Sequence, residues 1–309
     1  MDLPRAQSNR RTEMDMNIEL LTTGLGWPEG PSVAPDGSIV FVESFLSQLT
    51  RWDPKNGTSV RSYVAGAPNS CVHGANGELY VCQNGGTVGP WRAAEMTTAG
   101  IQRVDPSGHV SHILTEVDGM TFNGPNDLVF GPDGHLYFTD PGTYAPDNPD
   151  PSRIFAIDPF GVGRLVHEFK VPVFPNGLVV EPDGSIVWDE SYTGHLGRLK
   201  PNGKLEDLGK LPGDTPIPDG MTIGAEGRFY VTDLSAAGIH VLDRNGKPES
   251  FIPCGKAPTN CKFHGDTLFV TDAGVLATTS EPSLGGSLWS ISINGGGSKA
   301  VLGTIGEIK

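Results

Sequence analysis

The sequence predicts an all-β protein: a six-bladed β-propeller with four-stranded antiparallel blades around a central channel. Three observations support this prediction. One strand–turn–strand motif occurs six times, a second hairpin follows each copy, and the glycines and prolines are concentrated in the turns. The chain has 309 residues, of which 42 are Gly and 26 are Pro. Because they stand at fixed offsets, they indicate turns between strands rather than disorder.

The first motif is clearest in GPNDLVFGPDGHLYFTD, which runs from Gly124 to Asp140. It predicts a strand over Asp127–Phe130, a tight Pro-Asp-Gly turn, and a second strand over Leu136–Thr139. Val, Phe, Tyr and Thr favour a pleated sheet, and Gly permits the turn. Related segments begin at Trp27, Asn69, Phe174, Ile217 and Ala257.

The second motif is a short apolar strand, a polar turn that closes on Gly, and another strand. Successive turn glycines are roughly 40 to 55 residues apart, the period expected of propeller blades. Each repeat therefore supplies two hairpins, and six repeats fill the chain from about Trp27 onward. The turn glycines are Gly57, Gly108, Gly161, Gly203, Gly246 and Gly295.

The two ends of the repeat region each resemble an outer blade strand. Ile18–Leu25 (IELLTTGL) and Lys299–Ile305 are both candidates to complete the last blade and close the ring. We expect residues 1–17 to be a flexible N-terminal tail, because they are polar and lie outside the repeats. Residues 18–309 are then a single propeller domain.

Charge and cysteine content narrow the choice of partners and compartment. The formal net charge is −14, which argues against nucleic acid or an anionic membrane as partner, because phosphate binding requires an excess of Lys and Arg. No apolar run approaches the ~18 residues of a membrane span. The four cysteines, without a zinc-type spacing, favour buried thiols and a cytoplasmic location. The oligomeric state stays open.

The candidate site comes from comparing one position across the six repeats. The residue that follows a proline, eight positions before the turn glycine, carries a polar oxygen in every full copy, and Thr259 is its counterpart in the shortened sixth copy. Proline restricts its neighbour, so these side chains should be held in set directions at the opening of the channel. We call this set the site ring: Glu29, Asn69, Asn126, Asn176, Asp219 and Thr259.

Carboxylate and amide oxygens that converge on one axis favour a hard cation. With no His or Cys in the set, Ca²⁺ is expected first, with Mg²⁺, Mn²⁺ or Zn²⁺ as alternatives. The competing interpretation is a ring of turn-forming residues that caps the strand ends, a role that Asn and Asp often take.

The sequence resembles the senescence marker protein/gluconolactonase/luciferin-regenerating enzyme family. The resemblance rests on Trp-Pro-Glu-Gly-Pro at 27–31, Pro-Asn-Asp-Leu at 125–128, Pro-Asn-Gly-Leu at 175–178 and Pro-Asp-Gly-Met at 218–221. It implies a propeller with a divalent cation, usually Ca²⁺, in the central channel, and an enzyme that hydrolyses lactones.

By the same resemblance, Glu29, Asn176 and Asp219 would bind the metal, and Asn126 would be a further ligand or a substrate contact. Asp219 would also be the catalytic general base. The mechanism then expected is polarisation of the lactone carbonyl by the cation while Asp219 takes a proton from the attacking water. Sugar-lactone members of the family carry an Arg two residues before the third-blade Asn, where this sequence has Gly124.

Candidate substrate-binding residues complete the predicted site. Asn69 and Asn126 are the polar candidates, and Trp27, Phe122 and Phe174 are aromatic candidates that hint at a less polar substrate, with packing between blades as the alternative. Asp140 is a candidate for an outer contact to the metal or for a second metal. Asp233 and Asp272 end their strands in the same way, so a strand-end cap is the alternative for all three.

Four functional interpretations follow. The leading one is a metal-dependent lactonase acting on a small-molecule lactone or cyclic ester. The same cation could serve an aryl-ester or organophosphate hydrolase, because it would polarise P=O as well as C=O. A non-catalytic binding platform and a metal-free alkaloid-condensing propeller are the others, and two carboxylates with several amides at the strand ends argue against both. Fold alone does not decide among them.

Overall fold

The computed structural model describes residues 16–297 and 300–306. Within them the chain forms six four-stranded antiparallel sheets, which confirms the predicted propeller. Its strands in the first half of the chain are β1 (Ile18–Leu25), β2 (Pro28–Val33), β3 (Ile39–Glu43), β4 (Gln48–Asp53), β5 (Gly57–Tyr63), β6 (Pro68–His73), β7 (Leu79–Gln83), β8 (Thr87–Val88), β9 (Trp91–Arg92), β10 (Gly100–Val104), β11 (Val110–Leu114), β12 (Glu116–Val117), β13 (Met120–Thr121), β14 (Leu128–Phe130) and β15 (Leu136–Asp140).

The second half of the chain continues the same pattern. The blades, from the inner strand outward, are β2–β5, then β6-β7-β10-β11, then β14–β17, β18–β21, β22–β25, and finally β26-β27-β28-β1. A 3₁₀ turn at Ser44–Leu46 follows β3. The remaining strands are β16 (Arg153–Ile157), β17 (Gly163–Glu168), β18 (Pro175–Val180), β19 (Ile186–Glu190), β20 (His195–Leu199), β21 (Leu205–Lys210), β22 (Pro218–Ile223), β23 (Phe229–Asp233), β24 (Gly238–Leu242), β25 (Pro248–Pro253), β26 (Pro258–His264), β27 (Thr267–Asp272) and β28 (Gly286–Ser292).

The first strand of each blade lines the central axis. The inner strands β2, β6, β14, β18, β22 and β26 contact one another in that order, and β26 returns to β2, so they form a closed ring. Apolar side chains of neighbouring blades pack between them, as where Val42 and Leu49 of the first blade meet Val81 and Val104 of the second. The prolines that start most inner strands therefore face one end of the channel.

The N-terminal strand closes the ring. β1 pairs antiparallel with β28, from Ile18 opposite Ile291 to Leu25 opposite Gly286. Of the other candidate, Lys299–Ile305, the described residues 300–305 form no strand, so that expectation is wrong. Ile305 is instead buried in the cluster that contains Phe130, and its N–H donates to Tyr80 Oη at 2.9 Å. Residues 1–15 of the predicted tail lie outside the described residues.

The described part of the chain shows the state of the four cysteines and the result of a search for membrane-spanning helices. Cys71, Cys82, Cys254 and Cys261 are all buried and free, and burial raises the pKa of the Cys71 thiol far above its ordinary range. Within the described ranges we find no helix long and apolar enough to cross a bilayer.

Candidate metal centre

A cavity of about 240 Å³ lies at the proline end of the channel. Five members of the site ring line it, and these are Glu29, Asn69, Asn126, Asn176 and Asp219. The sixth, Thr259, is turned away and donates its hydroxyl to Pro28 O at 2.7 Å, which ties the last blade to the first. The fold thus brings together five of the six residues that the repeat comparison selected.

Irregular strand starts aim these side chains at the axis. In β2, the pairing with β3 shifts between Glu29 and Ser32, and in β22 the pairing with β23 shifts between Pro218 and Met221. Similar shifts occur at the start of β6, β18 and β26. A β-bulge bends its strand and redirects side chains, and bulges are common beside active sites.

Glycines beside the site ring allow neighbouring inner strands to approach closely. A Cβ on Gly30 would lie 2.2 Å from Ser70 Oγ, and a Cβ on Gly220 would lie 2.1 Å from Asn260 Cγ. The backbone N–H of Gly30 also donates to Glu29 Oε2 at 3.1 Å. The Glu-Gly and Asp-Gly pairs of the sequence are therefore required by the packing at the axis.

The two carboxyl groups of the site ring face each other. Glu29 and Asp219 both line the cavity, both are buried, and each lies close enough to shift the pKa of the other. Burial raises the pKa of Glu29 well above its ordinary value, and repulsion by Asp219 and Asp127 adds to the shift. Burial also raises the pKa of Asp219, with Asp127 adding to the rise and Asn176 opposing it. Two desolvated acids this close disfavour ionisation of both.

Asn176 is oriented by a serine that the sequence comparison did not select. Ser191 Oγ donates to Pro218 O at 2.7 Å, so it is left to accept a hydrogen bond from Asn176 Nδ2 at 3.1 Å. This arrangement directs the amide nitrogen to Ser191 and leaves the amide oxygen available as a ligand. Ser191 also lines the cavity. The sequence feature that could have identified Ser191 is its place as the polar residue directly after β19.

The donor set fits a hard cation. Two buried carboxyls and the amide oxygens of Asn126 and Asn176 meet at one cavity, and no Lys, Arg or His is among its described lining residues. The described chain contains no group of three or more His, Cys, Asp and Glu placed to hold a metal. A cation here would therefore depend on the amides as well as the carboxylates, a combination that suits Ca²⁺.

Two further buried acids lie near the site, and sequence reasoning missed both. Asp127, next to Asn126, accepts from Ser70 Oγ at 2.6 Å and from Leu128 N at 2.9 Å. Asp189 is fully buried on β19. Burial raises its pKa well above the ordinary value, and Asp219 adds to the rise. An alignment of the second strands of the blades could have identified Asp189, because three other blades carry a Thr at the equivalent position: Thr139, Thr232 and Thr271.

The predicted substrate contacts divide into two groups. Trp27, Phe174, Asn69 and Asn126 line the cavity. Phe122 does not, and that prediction is corrected: its ring packs 5.2 Å from Phe138 and 5.1 Å from Phe155 in the core of the third blade. Hydrophobicity alone could not separate a core position from a cavity wall.

Asp140 belongs to a second ring of polar residues, the last residues of the second strands. We call it the cap ring. In five blades its side chain accepts a hydrogen bond from the backbone N–H of the segment that precedes the inner strand. Asp140 accepts from Gly124 at 2.7 Å and Asp272 from Ala257 at 2.7 Å. The strand-end cap is thus the structural role of Asp140. The cap ring is Glu43, Gln83, Asp140, Glu190, Asp233 and Asp272.

The fourth blade departs from this pattern. Glu190 accepts from Thr193 Oγ1 at 2.6 Å and from Trp188 Nε1 at 3.1 Å, so it holds its own loop. Ser152 of the third blade takes over the cap, and its Oγ accepts from Phe174 N at 3.2 Å.

The fold and site define a six-bladed propeller with an acidic, amide-rich cavity at one end of its axis. Residues 27–274 match the family model described as SMP-30/Gluconolactonase/LRE-like region, and the chain belongs to that family.

Three relatives illustrate the likeness. The chain is 29% identical over 288 residues to a gluconolactonase of Zymomonas mobilis, covering 82% of this chain and 78% of that protein. A gluconolactonase from Xanthomonas campestris superposes with a TM-score of 0.73 at 21% identity, covering 90% of each chain. The calcium-binding protein regucalcin from Agrobacterium tumefaciens gives a TM-score of 0.73 at 18% identity, covering 92% of this chain and 96% of that one.

Proposed function

We propose that this protein is a lactone hydrolase that uses a divalent cation, with Ca²⁺ as the first choice. One observation carries the proposal: in a member of a gluconolactonase-like family, two buried carboxyls and two amides meet at the floor of a cavity whose described lining contains no basic residue. The net charge of −14 also makes nucleic acid and anionic membranes poor partners.

Glu29, Asn176 and Asp219 would hold the cation, with Asn126 as a fourth ligand or a contact to the substrate. When bound, the cation supplies polarisation of the lactone carbonyl and stabilisation of the developing negative charge. Ser191 keeps the Asn176 amide in one orientation through its 3.1 Å hydrogen bond. Glu29 is fixed from the other side by Gly30 N.

Asp219 would act as the general base. Its carboxyl is buried and lines the cavity beside the other proposed ligands, so it can reach a water that is held there. It would take a proton from the attacking water and return it to the ring oxygen as the C–O bond breaks. Proton transfer of this kind is typically worth ~10²–10⁴ in rate. Asn69 and Asn126, at the same floor, can position the substrate.

Location and rival activities follow from the same features. The four free, buried cysteines support a cytoplasmic location, where thiols stay reduced. An aryl-ester or organophosphate hydrolase would use the same cation. A binding platform would have no need of two desolvated carboxyls in contact, which are costly to bury.

The test is hydrolysis of a small panel after treatment with EDTA and addition of single cations. The panel contains gluconolactone, a γ-lactone, dihydrocoumarin, an aryl ester and an organophosphate. Lactone turnover that is lost with EDTA and restored by Ca²⁺ supports the proposal. Turnover confined to the aryl ester or the organophosphate would favour the rival hydrolase. No cation-dependent turnover by a folded protein would overturn the enzymatic proposal.

A further inference from the structure

A second ring, directly above the site ring, is apolar. It consists of the residues that precede the inner-strand prolines, and we call it the pre-proline ring: Trp27, Ala67, Gly124, Phe174, Ile217 and Ala257. Trp27, Gly124, Phe174 and Ile217 line the cavity. A substrate whose carbonyl lies at the site ring would therefore place its neighbouring atoms between apolar side chains.

Two aromatic members of this ring adopt an unusual backbone conformation. Trp27 has φ 56° and Phe174 has φ 55°. Bulky residues rarely occupy this left-handed region, and a residue before proline is normally extended. Strain of this kind persists only where the surroundings enforce it, and it is concentrated at functional sites. Because their blades are the first and the fourth of six, the two rings come from opposite sides of the channel.

The aromatic rings of Trp27 and Phe174 each pack against further aromatic rings. The Trp27 ring lies 5.5 Å from that of Phe45, and the Phe174 ring lies 5.2 Å from those of Tyr144 and Tyr192. Trp27 is 9% exposed and Phe174 is 5% exposed. Such packing limits rotation, so the two rings form fixed walls. The loop between β27 and β28 adds Leu276 and Ala277 to the lining.

Above the floor, the polar members of the wall are neutral side chains: Asn84, Thr87, Thr143, Tyr144 and Thr278. No Lys, Arg or His is among the described lining residues. The amide of Asn84 is engaged by its own loop: Oδ1 accepts from Gly86 N at 3.0 Å, and Nδ2 donates to Thr87 O at 2.8 Å. At Gly124 a Cβ would lie 3.2 Å from the carbonyl carbon of Gly142, so a longer side chain would have to displace that backbone.

We propose that the substrate is a lactone with an apolar alkyl or aryl substituent, which lies between Trp27 and Phe174 while the carbonyl meets the site ring. This inference rests on the proposed lactone hydrolysis and specifies its substrate class. Apolar contact on the walls would supply binding energy, and the polar floor would supply the chemistry.

The test compares δ-lactones that carry unbranched alkyl chains of one to four carbons with unsubstituted δ-valerolactone and glucono-δ-lactone, all under the same cation. We expect kcat/KM to rise about fourfold per methylene until the cavity is filled, since each buried CH₂ contributes ~0.8 kcal/mol. Glucono-δ-lactone should be the poorest of the set.

A matched pair of variants probes the wall without touching the floor. Leu276 and Leu284 are both exposed residues of the β27–β28 loop, but only Leu276 of the two lines the cavity. Leu276→Gln should lower the ratio of kcat/KM for the butyl lactone to kcat/KM for δ-valerolactone about fivefold, while Leu284→Gln should leave that ratio at the wild-type value. Phe174→Ala should flatten the dependence on chain length further.

The outcomes separate the two proposals. If lactones are hydrolysed but glucono-δ-lactone equals or exceeds the alkyl series, or the alkyl series is flat, the substrate class is wrong and the lactonase proposal stands. If Leu276→Gln and Leu284→Gln behave alike, the wall assignment is wrong. If no lactone of either kind is hydrolysed by the cation-loaded protein, the proposed function fails and this inference fails with it.

Discussion

Asp219 and Asp233 belong to the same blade and are both buried, yet their surroundings differ. Asp219 follows Pro218, which pairs with Asp233 across β22 and β23. Asp219 faces Glu29 and Asn176, and burial raises its pKa. Asp233 is also desolvated, but hydrogen bonds from His240, Ser235 and the N–H groups of Ile217 and Ala236 hold its pKa below the ordinary value.

This difference distinguishes a carboxyl group of the candidate site from a carboxyl group that stabilises the fold. Asp233 accepts hydrogen bonds from fixed backbone donors, so its negative charge is stabilised by the fold itself. Glu29 accepts a hydrogen bond from Gly30 N, but Glu29 and Asp219 each meet another acid, and the pKa of each stays above its ordinary value. A buried acid that the fold does not stabilise costs folding free energy, and such groups are concentrated where function requires them.

The largest expected effect is on catalysis at Asp219. Asp219→Asn keeps an oxygen ligand but removes the base, so we expect kcat/KM for the best lactone to fall about 10³-fold. Steady-state kinetics at saturating cation measure it, with far-ultraviolet circular dichroism as the control for folding. Activity within tenfold of the wild-type value would exclude Asp219 as the base.

The matching change in the cap ring should act on stability. Asp233→Ala removes the acceptor for the N–H groups of Ile217, Ser235 and Ala236 and for the Ser235 hydroxyl. We expect the free energy of unfolding to fall by about 3 kcal/mol, since buried donors are left without partners. Urea denaturation measures this loss, and Asp233→Asn, which keeps one acceptor, should lose less. An unchanged midpoint in Asp233→Ala would contradict the cap role.

Asp140 belongs to the cap ring but shares a raised pKa with the carboxyls of the site ring. Burial raises its pKa to about 6, although Gly124 and Asn123 donate hydrogen bonds to it. Its folded-state pKa lies above the unfolded value of about 4, so its contribution to stability is present below pH 4 and is lost as the pH rises through 6. The loss should be about 3 kcal/mol. Denaturation of wild type and Asp140→Asn between pH 4 and 7 isolates it. Parallel pH profiles for the two proteins would refute this assignment.

The smallest effect concerns Glu29 without a cation. In EDTA, Glu29→Gln should raise the free energy of unfolding by about 1 kcal/mol, because one desolvated acid is removed. At a Ca²⁺ concentration 100 times its Kd, the wild type should instead gain about 2.7 kcal/mol and the variant nothing. Thermal unfolding with and without Ca²⁺ gives both values. A variant that is destabilised in EDTA would show that Glu29 supports the fold.

The repeat made the fold and much of the site predictable. In repeats that surround an axis, equivalent positions converge on that axis. The proline–polar pair at one offset in each copy therefore predicted that Glu29, Asn126, Asn176 and Asp219 lie together. The strand that closes the ring was not predictable, because Ile18–Leu25 and Lys299–Ile305 have similar composition and pairing depends on distant residues.

Other features needed three-dimensional contacts. Phe122 and Phe174 are equivalent by hydrophobicity, and only packing places the first in the core and the second on the cavity wall. The left-handed backbone at Trp27 and Phe174 could not be predicted, because the sequence has no Gly at these positions to indicate it. The cap ring was visible as polar strand ends, but its N–H donors lie outside those strands.

Calorimetric titration of Ca²⁺ into the metal-free protein tests the central claim most directly. Wild type, Glu29→Gln and Asp233→Asn are titrated side by side, each checked for a folded spectrum. We predict one Ca²⁺ per chain in the wild type, retained in Asp233→Asn and abolished in Glu29→Gln. Binding that survives Glu29→Gln but is lost in folded Asp233→Asn, or a wild type that binds no Ca²⁺, Mg²⁺, Mn²⁺ or Zn²⁺, would contradict the assignment of the site ring as the metal centre.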